Sequence, residues 1–126
     1  MATAHKVLVV DDDRDIRETM VDALEDEGYE VIAAGDGVAA LELLRNQAAI
    51  PSVILLDLMM PRMNGVELSQ EIAQVERWAQ IPIIVVSADA QGQARAATMG
   101  AAAYLRKPMK LRELFSTVAR VLASAR

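Results

Sequence analysis

Four short, mostly apolar runs end in residues able to do chemistry. Val7–Val10 leads into Asp11-Asp12-Asp13, Val53–Leu56 into Asp57, Ile83–Val86 into Ser87-Ala88-Asp89, and Ala103–Arg106 into Lys107-Pro108. If these runs lie side by side, two or three carboxylates converge with a hydroxyl and an ammonium. Carboxylates crowded in apolar surroundings raise one another's pKa, and a hard cation relieves that repulsion. Mg²⁺ suits the donor set best, because it takes one or two carboxylates and leaves its other positions to water and phosphate oxygens. With Mg²⁺ and Lys107 nearby, one carboxylate can serve as nucleophile toward phosphorus. Catalysis then consists of positioning the transferring group and neutralising its charge. In this reading Asp57 is the acceptor, and Ser87 and Lys107 each hold one phosphoryl oxygen.

Such a site needs a scaffold that brings the run ends to one edge, and the chain has the pattern for it. Lys6–Val10, Glu30–Ala34, Val53–Leu56, Ile83–Val86 and Ala103–Arg106 read as strands. Between and after them, Arg14–Glu27, Val38–Asn46, Val66–Arg77, Gln91–Met99 and Leu111–Ala125 carry apolar residues at helical spacing. Leu68, Ile72 and Val75 mark one such stripe; Leu111, Leu114, Phe115, Val118 and Leu122 mark another. Gly28 and Gly100 close the helices before them. Five β-then-α units predict an α/β fold, a doubly wound parallel sheet with helices on both faces. Ligands of such sheets bind beyond the carboxyl ends of the strands, where the strand order reverses. The end of the second strand, Ala34-Gly35, brings nothing reactive.

Composition narrows the function classes. The 126 residues are just over half hydrophobic with few aromatics, one Trp, one Phe and two Tyr, so one aliphatic core is expected. Net charge is −5 and no Lys/Arg run forms a stripe, which argues against direct nucleic-acid binding. The absence of cysteine excludes disulfides and thiolate metal sites. No apolar run approaches the ~18 residues of a membrane span, and Met1–Lys6 has no signal-peptide pattern, so a cytoplasmic location with no membrane partner is expected.

Some polar residues have plainer explanations. Asp13 fits a helix cap, and Asn64-Gly-Val-Glu67 fits a capping box. His5 stands alone and receives no role. Gly35-Asp-Gly37-Val-Ala-Ala40 matches a dinucleotide-binding pattern, with Asp57 about twenty residues on. That reading leaves Asp12, Ser87 and Lys107 unexplained and has no room for a substrate domain.

Taken together, Val7-Leu-Val-Val-Asp-Asp-Asp13, Ile54-Leu-Leu-Asp-Leu-Met-Met-Pro61 with Asn64-Gly65, Val85-Val-Ser-Ala88, and Gly100 leading to Tyr104-Leu-Arg-Lys-Pro108 resemble the receiver domain of bacterial two-component response regulators. The resemblance runs from Lys6 to Leu122 and treats residues 1–126 as a single chemotaxis-regulator-like receiver. It implies the flavodoxin-like strand order 2-1-3-4-5, for which a protein of this family is a standard example. It implies phosphorylation at Asp57 by a sensor histidine kinase or histidine phosphotransfer protein. It assigns Mg²⁺ to Asp12, Asp57 and the backbone carbonyl of Met59, with Asp11 assisting through water. Lys107 becomes the phosphate-binding lysine, before a cis bond to Pro108, Ser87 the switch hydroxyl and Tyr104 the switch aromatic. The signal would pass to a downstream protein through the face made by the fourth helix, fifth strand and fifth helix. Met59 and Asp89 would border the path of a hydrolytic water. Met109 stands where many relatives have Phe. The implied role is a signalling domain that assists its own phosphorylation and dephosphorylation, not a turnover enzyme. A haloacid-dehalogenase-type phosphatase would place a second acid at position 59, which here is Met. A degenerate receiver that only binds partners would lack site residues that are all present here.

Overall fold

In the computed structural model, which describes residues 5–46 and 50–124, the strand-forming runs pair as one parallel sheet of order β2-β1-β3-β4-β5. The strands are β1 (Lys6–Val10), β2 (Glu30–Ala34), β3 (Val53–Leu56), β4 (Ile83–Ser87) and β5 (Ala103–Arg106). The three central strands are apolar on both faces because helices cover both faces. The helices are α1 (Arg14–Asp26), α2 (Gly37–Asn46), α3 (Gly65–Ala73), α4 (Glu76–Ala79), α5 (Gly92–Met99) and α6 (Leu111–Ser124). The expected end of α6 at Ala125 lies outside the described residues.

Strand periodicity sorts the core into layers. Leu8, Val10, Ile54 and Leu56 point to α2, α3 and α4, meeting Leu41, Leu44, Leu68, Ile72 and Trp78. Val7, Val9, Val53, Leu55, Ile84, Val86 and Leu105 point the other way, to Met20 and Leu24 of α1 and Leu114, Val118 and Val121 of α6. Val85 joins Leu58 and Ala96 beneath α5, with Tyr104 packed beside them.

Two expectations need correction. The run Val66–Arg77 is not one helix: α3 stops at Ala73, Val75 adopts an extended conformation, and α4 begins at Glu76. At 100° per residue a continuous helix would aim Trp78 roughly 90° away from the Leu68–Ile72 stripe. The break turns its ring into the core, where it is 3% exposed. Leu111 does not face inward but is 43% exposed, in the first turn of α6. The inward stripe of α6 starts at Leu114.

Local signals behave as their chemistry dictates. Asp13 caps α1 by accepting from the Ile16 amide at 3.0 Å. Asn64 and Glu67 form the reciprocal capping box of α3. Gly100 ends α5 in the left-handed conformation, φ 73°, which favours glycine.

Candidate functional site

Register brings the site together. Val10 pairs with Leu56, so Asp11 and Asp57 leave adjacent strands side by side. The Asp57 amide donates to the Val10 carbonyl at 3.0 Å, and the Asp11 amide to Ala34 at 3.2 Å. On the other flank Ser87 pairs with Arg106, and the Lys107 amide donates to the Ser87 carbonyl at 3.0 Å. A cis Lys107–Pro108 peptide follows, as the resemblance implies.

Asp11, Asp12 and Asp57 each offer a carboxylate oxygen, and the three oxygens lie within 4.8 Å of one another. Asp11 is fully buried, Asp57 nearly so, and Asp12 is exposed. The Lys107 ammonium reaches back across two strands and donates to Asp11 Oδ2 at 2.7 Å and Asp57 Oδ2 at 3.4 Å. The Met59 amide holds Asp57 Oδ1 at 3.2 Å, and the Asp13 amide holds Asp11 Oδ1 at 2.9 Å. Burial, and then the Asp11 charge, push the Asp57 carboxyl up to about 6, against the restraint of Lys107 and the Met59 amide. Burial works to lower the Lys107 ammonium, but its bonds to Asp11 and Asp57 outweigh this and raise it. This group of acids is short of positive charge even with Lys107 in place. Two buried carboxylates and an exposed one, with repulsion registered on Asp57, fit a small dication that keeps part of its water.

Around this centre the remaining predicted residues take distinct places. Ser87 is fully buried, and its hydroxyl oxygen accepts from the Asp89 amide at 3.1 Å. The Tyr104 hydroxyl donates to the Ser87 carbonyl at 3.4 Å. Its ring lies against the start of α5, where a Cβ on Gly92 would come within 2.9 Å of it. Asp89 is tied on both oxygens, one accepting from the Gln91 amide at 3.0 Å and the other pairing with Arg95 Nε at 3.0 Å. Met59 is 59% exposed. With Asp12, Asp89 and Arg95 it lines an open cleft of about 710 Å³ between the site and α3. Met109 packs at the edge of the α1–α6 core layer.

The dinucleotide pattern has a packing origin. A Cβ on Gly37 would meet the Met63 side chain at 2.7 Å, so that glycine makes room for a neighbouring loop. The Asp36 carboxylate already occupies the start of α2, accepting from the Ala39 amide at 2.8 Å and pairing with Arg62 at 2.7 Å. An anion would meet like charge there. Two basic residues near the site carried no sequence signal: Arg17, which donates to the Asp11 carbonyl at 2.8 Å, and Arg95.

Comparison with known proteins agrees with this geometry. The family model of the response regulator receiver domain matches residues 7–119. Response regulator MprA of Mycobacterium sp. (strain KMS) is 39% identical over 119 residues, 93% of this chain and 50% of the relative, and that of Mycobacterium leprae is 37% identical over the same span. The chain thus spans about half the length of these relatives. Among solved structures, a putative response regulator from Chloroflexus aurantiacus superposes with a TM-score of 0.88 at 29% identity, over 96% of this chain and 99% of that one. The Vibrio cholerae chemotaxis response regulator CheY4 superposes with a TM-score of 0.84 at 34% identity, over 94% and 99%. Among the described residues no helix is long and apolar enough to cross a membrane. The fold, the converging strand ends and these relatives agree: this chain belongs to the receiver domains of the response regulators of two-component signalling.

Proposed function

We propose that the chain is a cytoplasmic, phosphorylation-dependent switch, working as one receiver domain, whose phosphoryl acceptor is Asp57. The observation that supports this best is the meeting of Asp57 with Asp11, Asp12 and the Lys107 ammonium at one sheet edge. Asp12, Asp57 and the Met59 carbonyl would hold Mg²⁺, with Asp11 acting through water. The bound ion would supply neutralising charge for the equatorial oxygens of the transferring group.

An Asp57 oxygen attacks phosphorus as the bond to the donor breaks. The donor is a phosphohistidine of a sensor kinase or phosphotransfer protein, or a small acyl phosphate, and it departs with the bonding electron pair. With a pKa of about 6 the Asp57 carboxyl is mostly ionised near neutrality, as a nucleophile must be. Lys107, whose ammonium is stabilised by both acids, stays charged and pairs with a phosphoryl oxygen. The Ser87 hydroxyl moves toward another. Tyr104 bonds the carbonyl of Ser87 and packs on Gly92, so that shift reaches α5, β5 and the start of α6. A downstream protein reads this face. The chain acts by accepting and losing a phosphoryl group, and is not a turnover enzyme.

Acetyl phosphate with Mg²⁺ should add one phosphoryl group in intact-mass analysis, abolished by EDTA and by Asp57→Asn. An undiminished adduct on the Asn variant would reject Asp57 as acceptor.

A further inference from the structure

We propose that Arg17, backed by Gly35, is a positioning residue for the metal site, holding the peptide that carries Asp12; this rests on the reading of Asp12 as a Mg²⁺ ligand. The Asp11 carbonyl belongs to the planar peptide that joins Asp11 to Asp12. Arg17 Nη1 donates to that carbonyl at 2.8 Å, from one turn inside α1. Behind it, the Asp11 amide donates to the Ala34 carbonyl at 3.2 Å. The peptide groups on both sides of the Asp11 Cα are therefore held, one by the end of β2 and one by Arg17. Asp12 departs from this fixed frame, and its carboxylate is the exposed member of the acid cluster.

Arg17 is itself backed by the β2–α2 turn. A Cβ on Gly35 would come within 3.3 Å of Arg17 Nη1 and 3.7 Å of its Cζ. Glycine at this position leaves the guanidinium its place against the Asp11 carbonyl. The end of β2 carries no reactive group, yet it shapes the site through this contact.

A guanidinium can act on a cation site in two opposed ways. As a positive charge it repels Mg²⁺, so removing it should tighten binding. As a clamp it orders the ligand frame, so weakening it should loosen binding. Lys keeps the charge but has no planar fork to reproduce the bond.

The test is calorimetric Mg²⁺ titration of the whole chain, as wild type, Arg17→Lys, Arg17→Met, Gly35→Ala and Asp12→Asn. The clamp predicts about tenfold weaker binding in Arg17→Lys, the lower end of what loss of a residue behind a metal ligand costs. Gly35→Ala, which only crowds the guanidinium, should weaken binding in the same direction but less. Unaltered affinity in Arg17→Lys, or tighter binding in Arg17→Met, would overturn the inference. If the wild type binds Mg²⁺ and Asp12→Asn does not weaken it, the assignment of Asp12 fails, and the inference fails with it. Melting curves without metal show whether each variant is folded. Gly35→Ala meets only the tip of a flexible side chain, so it keeps the test valid even if an Arg17 variant does not fold.

Discussion

Asp57→Asn should stabilise the metal-free protein, by an amount that grows with pH. In the folded chain Asp57 titrates at about 6, against its ordinary 3.8. That difference of about 2 pKa units corresponds to roughly 3 kcal/mol. The sign follows from linkage: the folded state holds this proton more tightly than the unfolded chain does. Its contribution is complete below pH 3.8 and is lost as the pH rises through 6. Asparagine has the same shape and nothing to ionise, so it escapes the loss. It gives up the 3.4 Å contact with Lys107, but Lys107 keeps its shorter bond to Asp11 at 2.7 Å. The gain should be near zero at pH 4 and approach 3 kcal/mol above pH 7, on the order of 10 °C in Tm for a domain of this size. Melting curves in EDTA across this pH range measure it by circular dichroism. The difference between the two proteins reads Asp57 together with its coupling to Asp11 and Lys107. If Asp57 is a Mg²⁺ ligand as proposed, saturating Mg²⁺ should shrink the gap, because an ion that binds only the native state stabilises it and the Asn variant offers one carboxylate fewer. A gap independent of pH, or a wild type more stable than the variant at pH 7 in EDTA, would refute the reasoning.

Three further outcomes are expected. Met59→Asn should speed loss of the Asp57 phosphoryl group after donor removal, since an amide can hold an attacking water where an exposed thioether cannot; decay no faster than wild type would show that Met59 does not border the path of that water. Asp89→Ala should change that decay little, because both Asp89 oxygens are engaged by Gln91 and Arg95. Gly92→Ala should push Tyr104 off the start of α5, so the amide shifts seen on activation between Ser87 and Leu111 should shrink while phosphorylation persists; an unchanged pattern would show that the Tyr104–Gly92 contact does not carry the signal.

The architecture was legible because it rests on short-range physics. Apolar runs of strand length, broken by charge at one end, announced parallel strands with a reactive edge, and register then brought Asp11, Asp57 and Lys107 together. The caps at Asp13 and Asn64 were equally local. The break before Glu76 was not legible, since Leu68, Ile72 and Val75 satisfy one continuous helix; burying Trp78, a tertiary demand, interrupts it. Leu111 misled because periodicity does not say where a helix overhangs the sheet. Arg17 was invisible for another reason. Its partner is a backbone carbonyl, which leaves no mark in the pattern of side chains.

The break that buries Trp78 also has an optical consequence. This is the chain's single indole, and it sits beside Ile81, ahead of β4, at the amino-terminal edge of the sheet and so opposite the carboxylates. Its emission should shift to the red when the core opens, yet stay nearly constant as Mg²⁺ or a phosphoryl group enters the far edge. Intrinsic fluorescence is therefore a clean gauge of unfolding in this protein and a poor gauge of its activation, for which a dye near Met59 or Tyr104 would be needed.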